Sequence, residues 1–135
     1  MDSLPFVSII IPCRNEEKFI GKCLDSIIAN DYPKDRLEVF IVDGMSEDGT
    51  RRIVESYIKQ HPFIKLLSNP KKITPCALNI GIKNAKGEII MRMDAHAVYE
   101  KDYISKCVRY LDEYQADNIG GTMITRPMKD TFIGK

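Results

Sequence analysis

Apolar runs of strand length alternate with segments of helical spacing along nearly the whole chain, and that alternation leaves few folds open. FVSIIIPC (6–13) is one continuous apolar run. In NEEKFIGKCLDSIIAN behind it, Phe19, Ile20, Cys23, Leu24, Ile27 and Ile28 recur at helical intervals. Asn15 is expected to cap that helix, with Glu16 and Glu17 suited to its first turn. LEVFIVDG (37–44) reads as the second strand, and SEDGTRRIVESYIKQH as a helix with Ile53, Val54, Tyr57 and Ile58 on one face. FIKLLSN (63–69) is the third strand. TPCALNIGIKNAKG then reads as a helix capped by Thr74, with Pro75 at its first position and Gly87 closing it. EIIMRMDA (88–95), the helix DYISKCVRYLDEYQ (102–115) and the strand NIGGTMIT (118–125) complete the series, and the tail RPMKDTFIGK has no assignment. Strands that are apolar throughout suit a sheet covered on both faces. The expectation is an α/β fold, a mostly parallel sheet with helices on both faces and right-handed crossovers. At 135 residues, with no internal linker or repeat, it forms one domain, residues 1–135.

The totals exclude several classes of function. Twenty Lys and Arg stand against 19 Asp and Glu, a net charge of +1. That balance gives no basis for bulk nucleic-acid binding. No apolar run reaches the roughly 18 residues of a membrane span. MDSLPFVSIIIPC lacks the basic start of a signal peptide, so a cytoplasmic setting is expected. Cys13, Cys23, Cys76 and Cys107 form no C-x-x-C pair, which disfavours a zinc knuckle or a thioredoxin-like site. They read as small buried hydrophobes in a reducing compartment. His61, before Pro62, suits a helix end.

Ligands in such sheets bind beyond the carboxyl ends of the strands. Three polar stretches fall there: PCRNE, VDGMSEDGT and MDAHA. No G-x-G-x-x-G follows the first strand, and GMSEDGTR has Thr50 and Arg51 where a P-loop needs Lys and Ser/Thr. Arg14 and Asn15 replace the clustered acids of a phosphate-accepting receiver, and two histidines assemble no serine-type triad. What remains is two acids, Asp43 and Asp94, and the imidazole of His96. If strand geometry runs through MDAHA, Asp94 and His96 share a face and Ala95 points away. Such a pair can hold a divalent cation that neutralises a diphosphate, while Asp43 accepts from a base N–H or a ribose hydroxyl. Taken singly, a strand-end aspartate is commonly a turn residue or helix cap, and His96 an ordinary loop residue.

Four stretches, VSIIIPCRNEEKFIGKCLDSI, EVFIVDGMSEDGT, ALNIGIKNAKGEII and MDAHA, together resemble the N-terminal half of family 2 glycosyltransferases. The resemblance covers residues 6 to about 125. It implies an inverting enzyme with the Rossmann-like, A-type nucleotide-diphospho-sugar transferase fold, here truncated to its donor-binding part. By this resemblance Pro12, Arg14, Asn15 and Glu16 line the nucleoside end, Asp43 contacts base or ribose, and Ser46 and Asp48 shape the turn opening the second helix. Asn79 and Gly81 belong to a helix beneath the diphosphate. Charge alone suggests Lys71 or Lys72 near the phosphates. MDAHA stands in the place of the family's Asp-x-Asp motif, which implies Asp94 and His96 as metal ligands, with Mn²⁺ or Mg²⁺ as cofactor. Histidine for the second acid, as in members similar to exopolysaccharide and succinoglycan enzymes, leans the site toward Mn²⁺. Gly44 departs from the family, which usually has an acid there. The expected partners are a nucleotide-diphospho-sugar donor, UDP-linked by preference, and a saccharide or lipid-linked acceptor in polysaccharide biosynthesis, at the cytoplasmic face of a membrane in the full-length protein. No nucleic-acid partner is expected. The family's general base falls beyond Lys135, so residues 1–135 alone are expected to bind donor without transferring sugar. Met123, Ile124, Met128, Phe132 and Ile133 are expected to expose apolar surface and favour self-association. Two alternatives are a non-catalytic nucleotide-binding domain and a sugar nucleotidyltransferase, although PCRNEEKFIG lacks the latter's glycine-rich basic loop.

Overall fold

The computed structural model describes residues 4–114 and 124–125. Five strands, β1 (Val7–Cys13), β2 (Leu37–Asp43), β3 (Ile64–Ser68), β4 (Ile89–Arg92) and β5 (Ile124–Thr125), form one sheet in the order β3-β2-β1-β4-β5. The first four are parallel and β5 runs antiparallel to β4. Four helices connect them: α1 (Ile20–Ile28), α2 (Thr50–Gln60), α3 (Thr74–Asn84) and α4 (Tyr103–Tyr114). The rest of the expected fifth strand, and the apolar positions 123, 128, 132 and 133, lie outside the described residues. No helix of the described residues is long and apolar enough to cross a membrane.

Both faces are covered, unequally. Val7, Ile9 and Ile11 of β1 point with Val39, Ile41 and Met91 into the larger core, which α1, α2 and α4 close through Leu24, Ile27, Val54, Ile104 and Leu111. The alternate residues Ile10, Phe40, Val42 and Ile90 meet α3 on the other face. Gly81 lets α3 sit close: a Cβ there would lie 2.6 Å from Ile10 Cγ2. Each fully buried Ile or Leu contributes on the order of 2 kcal/mol. These two cores are therefore ample to fix the register, in which Val7 to Cys13 pair with Leu37 to Asp43.

At the amino-terminal edge the sheet carries a polar pin. Glu38, 2% exposed, accepts from the Ser8 hydroxyl at 2.6 Å, the Lys86 amide at 2.8 Å and Lys65 Nζ at 3.2 Å. Ser8 Oγ in turn accepts the Gly87 amide at 2.8 Å. The α3–β4 turn is thereby fastened to β1 and β2, and the helix closes at Ala85, before Gly87.

Several boundaries differ from the sequence expectation. The N-cap of α1 is Phe19, without a side-chain cap, and Asn15 stands outside the helix at φ 53°. Thr74 is the first residue of α3 and Ile73 its cap. β4 stops at Arg92, so Asp94 and His96 lie in a turn. His61 does end α2, its amide bonding the Tyr57 and Ile58 carbonyls.

Candidate functional site

The switch in strand order falls at β1, which pairs with β2 on one side and β4 on the other. A cleft of about 220 Å³ opens there, at the carboxyl ends of the strands. It collects Pro12, Arg14 and Glu16 from the β1–α1 loop, Asn69 and Lys72 from the β3–α3 loop, Thr74 at the start of α3, and Arg92, Asp94 and His96 from β4 and its turn.

Backbone strain concentrates at this end. Among the described residues the non-glycine positions with positive φ are Asn15 (53°), Met45 (62°) and Lys72 (69°), one in each of the loops after β1, β2 and β3. Each costs on the order of 1 kcal/mol and must be held by its surroundings. The first two loops hold each other. Asn15 Oδ1 accepts the Glu47 amide at 2.8 Å, and Ser46 Oγ accepts the Asn15 amide at 2.8 Å. Thr50 Oγ1 accepts the Glu16 amide at 2.9 Å, and Glu17 Oε1 the Gly49 amide at 2.7 Å. Arg14 Nη1 reaches back to the Gly44 carbonyl at 3.1 Å. Position 44 has little room for any side chain. A Cβ on Gly44 would sit 3.3 Å from both Cα and O of Lys72, so the β3–α3 loop would have to shift.

Asp48 fastens the entry to α2, accepting from the Thr50 amide at 3.0 Å, the Thr50 hydroxyl at 2.5 Å and the Glu17 amide at 3.2 Å. Partial burial pushes its carboxyl up, but the hydrogen bonds from Thr50 and Glu17 outweigh it and hold the group below the ordinary carboxylate range. A carboxylate depressed in the fold stabilises above its unfolded value and loses that contribution as pH falls through the folded one. Protection factors for amide exchange across residues 47–51 are therefore expected to fall below about pH 4. Asp48→Asn is expected to flatten that acid limb, and an identical limb in parent and variant would remove Asp48 from the effect.

Asp43 lies behind the cleft wall and is fully buried. Its Oδ1 accepts the Ser46 hydroxyl at 2.5 Å, and its Oδ2 the Ser46 amide and Arg51 Nη1, both at 3.0 Å. One acceptor position remains on Oδ1, but no ligand reaches it in this conformation. Asn15 and Ser46 likewise sit in the stitched loops and do not line the cleft. Pro12, Arg14, Glu16, Lys72, Asp94 and His96 do. Asn79 is exposed away from the cleft, and Gly81 packs on the sheet.

Asn69 carries a signal that its sequence does not show. It is 1% exposed and lines the cleft. Its amide donates to the Asp43 carbonyl at 2.8 Å and its Nδ2 to the Ile73 carbonyl at 2.9 Å, which fixes the orientation of the side chain. Its Oδ1 is the buried side-chain acceptor left without a partner among the described residues. Such an atom costs roughly 1–3 kcal/mol and calls for a donor.

The turn after β4 places Ala95 in the core at 2% exposure, with Asp94 and His96 exposed on either side. Both line the cleft, from a turn and not from the strand geometry expected of them. Arg92 Nη2 stands 3.8 Å from Asp94 Oδ1, and His96 Nδ1 3.7 Å from Glu16 Oε2. Burial pushes the Cys13 and Cys23 thiols well up, with Asp43 and Asp94 adding to the effect respectively, so both are protonated and neither suits a metal. No three His, Cys, Asp or Glu among the described residues group closely enough to hold an ion. Asp94 and His96 could therefore supply no more than two protein ligands to a divalent cation.

A doubly wound sheet whose cleft gathers an orphan acceptor, three cations and an exposed Asp–His pair defines an α/β domain with a ligand cleft at its switch point. The model of the family described as Glycosyl transferase family 2 matches residues 8–135, and the chain belongs to that family. The dolichyl N-acetyl-alpha-D-glucosaminyl phosphate 3-beta-D-2,3-diacetamido-2,3-dideoxy-beta-D-glucuronosyltransferase of Methanococcus voltae is 45% identical over 101 residues, covering 73% of this chain and 32% of that protein. The mannosyltransferase PcManGT of Pyrobaculum calidifontis, solved with GDP-mannose and Mn²⁺, superposes with a TM-score of 0.77 at 34% identity, covering 87% of this chain and 34% of that one. S. aureus TarS (1–349) with UDP superposes at 0.70 and 30% identity, covering 82% and 33%. These are A-type glycosyltransferase structures, and this chain has their fold over its described residues. The chain spans about a third of the length of the relatives it matches.

Proposed function

We propose that this chain supplies the donor and metal site of an inverting glycosyltransferase that moves a sugar from a nucleotide diphosphate to a saccharide or lipid-linked acceptor. The unpartnered Asn69 Oδ1 in the wall of a cation-lined cleft carries the reading. An uncharged acceptor there suits the N–H of a nucleobase, and a pyrimidine such as uracil offers one; the atom is covered in this conformation, so a base meets it only once the loop around it opens. Arg14, Lys72 and the N-terminus of α3 lie where they can face a diphosphate. Asp94 and His96 would hold a divalent cation, Mn²⁺ or Mg²⁺, which when bound neutralises charge on the departing diphosphate. Pro12 and Glu16 complete the wall. Asp43, Ser46 and Asn15 act by holding the two loops in place, and Asp43 meets the nucleoside only if Arg51 or its cover moves aside. Supporting this reading, the relatives named above include one solved with GDP-mannose and Mn²⁺ and one with UDP. The general base is assigned to residues outside this chain, and residues 1–135 are proposed as one donor-binding domain.

Calorimetry with uridine and adenosine diphosphates tests the reading. Uridine diphosphate is expected to bind more tightly in the presence of Mn²⁺. Asn69→Ala is expected to weaken it about tenfold, the loss of roughly one hydrogen bond, while thermal melting shows the variant folded. Equal affinity for both nucleotides, or an unchanged constant in Asn69→Ala, counts against the base assignment. Nucleotide binding without any turnover in the full-length protein would favour the non-catalytic alternative.

A further inference from the structure

The Asp94–His96 turn is held by α1 more than by the strand that leads into it. The last amide of the β4 segment to bond β1 is that of Met93, which donates to the Ile10 carbonyl at 3.0 Å. The next amide, of Asp94, lies on the side of the strand away from β1 and donates to Tyr99 Oη at 2.7 Å. The Asp94 carbonyl accepts the thiol of Cys23 in α1 at 3.3 Å and the Ala97 amide at 3.3 Å. Tyr99 is itself anchored to α1, its amide donating to Ser26 Oγ at 3.1 Å while the Ser26 hydroxyl donates to the Cys23 carbonyl at 2.7 Å. The Tyr99 ring rests on Tyr103 of α4 at a centroid distance of 5.0 Å. By contrast, the Asp94 carboxylate has only Arg92 at 3.8 Å, and its side chain is 52% exposed. Its backbone is gripped on both sides and its side chain is left free to meet a ligand.

We infer that Tyr99 is a positioning residue for the metal-binding turn: with Cys23 and Ser26 it docks the Asp94 backbone onto α1 and sets the direction in which the carboxylate enters the cleft. The inference rests on the donor-site reading given above. The same helix follows the loop that carries Glu16, the neighbour of His96, so one rigid element sets both sides of the proposed cation position. Tyr99→Phe removes the single acceptor for the Asp94 amide and keeps the ring against Tyr103. Ser26→Ala cuts the anchor of Tyr99 one step further back.

The test has two arms in the full-length protein. Hydrogen exchange of the ligand-free protein is expected to show a protected Asp94 amide, with at least tenfold faster exchange in Tyr99→Phe. Calorimetry of uridine diphosphate is run with Mn²⁺ and with EDTA. Both variants are expected to lose about tenfold in the Mn²⁺-dependent part of the affinity, the usual scale for groups that orient a metal ligand. Both are expected to stay within twofold of the parent in EDTA. Equal losses with and without Mn²⁺ would mean general loosening and overturn the positioning role, as would unchanged binding in both variants. Should the parent itself gain nothing from Mn²⁺, the donor-site reading fails, while unaltered Asp94 exchange in Tyr99→Phe separately refutes the clamp.

Discussion

Asp94→Ala in the full-length protein is expected to reduce sugar transfer on the order of 10³-fold, with the fold intact. In the proposed site this carboxylate is the anionic ligand of the cation that offsets developing charge on the leaving diphosphate. Removing one such electrostatic contact costs about 10²–10³ in rate, and loss of an ion loses more than one contact. The folding cost is small, because the side chain is half exposed and its ion-pair partner stands 3.8 Å away at the surface. Asp94→Asn keeps the shape and removes the charge, so it is expected to fall nearly as far. His96→Ala is expected to cost less, since water can replace a neutral ligand. Turnover in Asp94→Ala within threefold of the parent, at saturating Mn²⁺, would remove the residue from the metal site.

The largest effect on stability is expected at the opposite edge of the sheet. Glu38→Ala leaves without their acceptor the Ser8 hydroxyl, fully buried in β1, and the Lys86 amide, part-buried at the α3–β4 turn. Each orphaned group costs roughly 1–3 kcal/mol, and the total is expected near 4 kcal/mol. Lys65→Met removes the third partner of the same carboxylate but should cost less than about 1 kcal/mol, because Lys65 is 45% exposed at its side chain and returns to water. Urea titration distinguishes the two, and near-equal costs would mean that the ion pair, and not the hydrogen bonds, carries the pin.

Much of this fold is legible in the chain. Continuous apolar runs bounded by polar loops place β1 to β4, and helical spacing places the four helices, because a sheet covered on both faces imposes both patterns directly. Cap positions were less legible. Asn15 resembles an N-cap in NEEKF, but its amide and side chain are engaged by the loop after β2, some thirty residues on, so the helix starts at Ile20. Strand β4 also ends short of the expectation, at Arg92, and the Asp94 amide goes to the hydroxyl of Tyr99, five residues ahead. Within the site, the acids and the histidine stand out by type and place. Asn69 does not, since SNP reads as an ordinary turn, and only burial with an unpartnered oxygen distinguishes it. Asp43 is the converse, conspicuous as a strand-end acid yet enclosed by Ser46 and Arg51.

The mutual stitching of the loops after β1 and β2 bears on how such domains can be recombined. Asn15, Glu17, Ser46, Asp48 and Thr50 each satisfy a backbone amide of their own loop or of the opposite one. Substitutions among contacting partners are not independent. A chimaera that grafts only one of these loops from another family member inherits half of every bond and breaks the set. Grafting 14–17 and 44–50 together preserves it. The pair is therefore a single heritable module, and within it the fitness of each residue depends on the identity of its counterpart across the cleft rim.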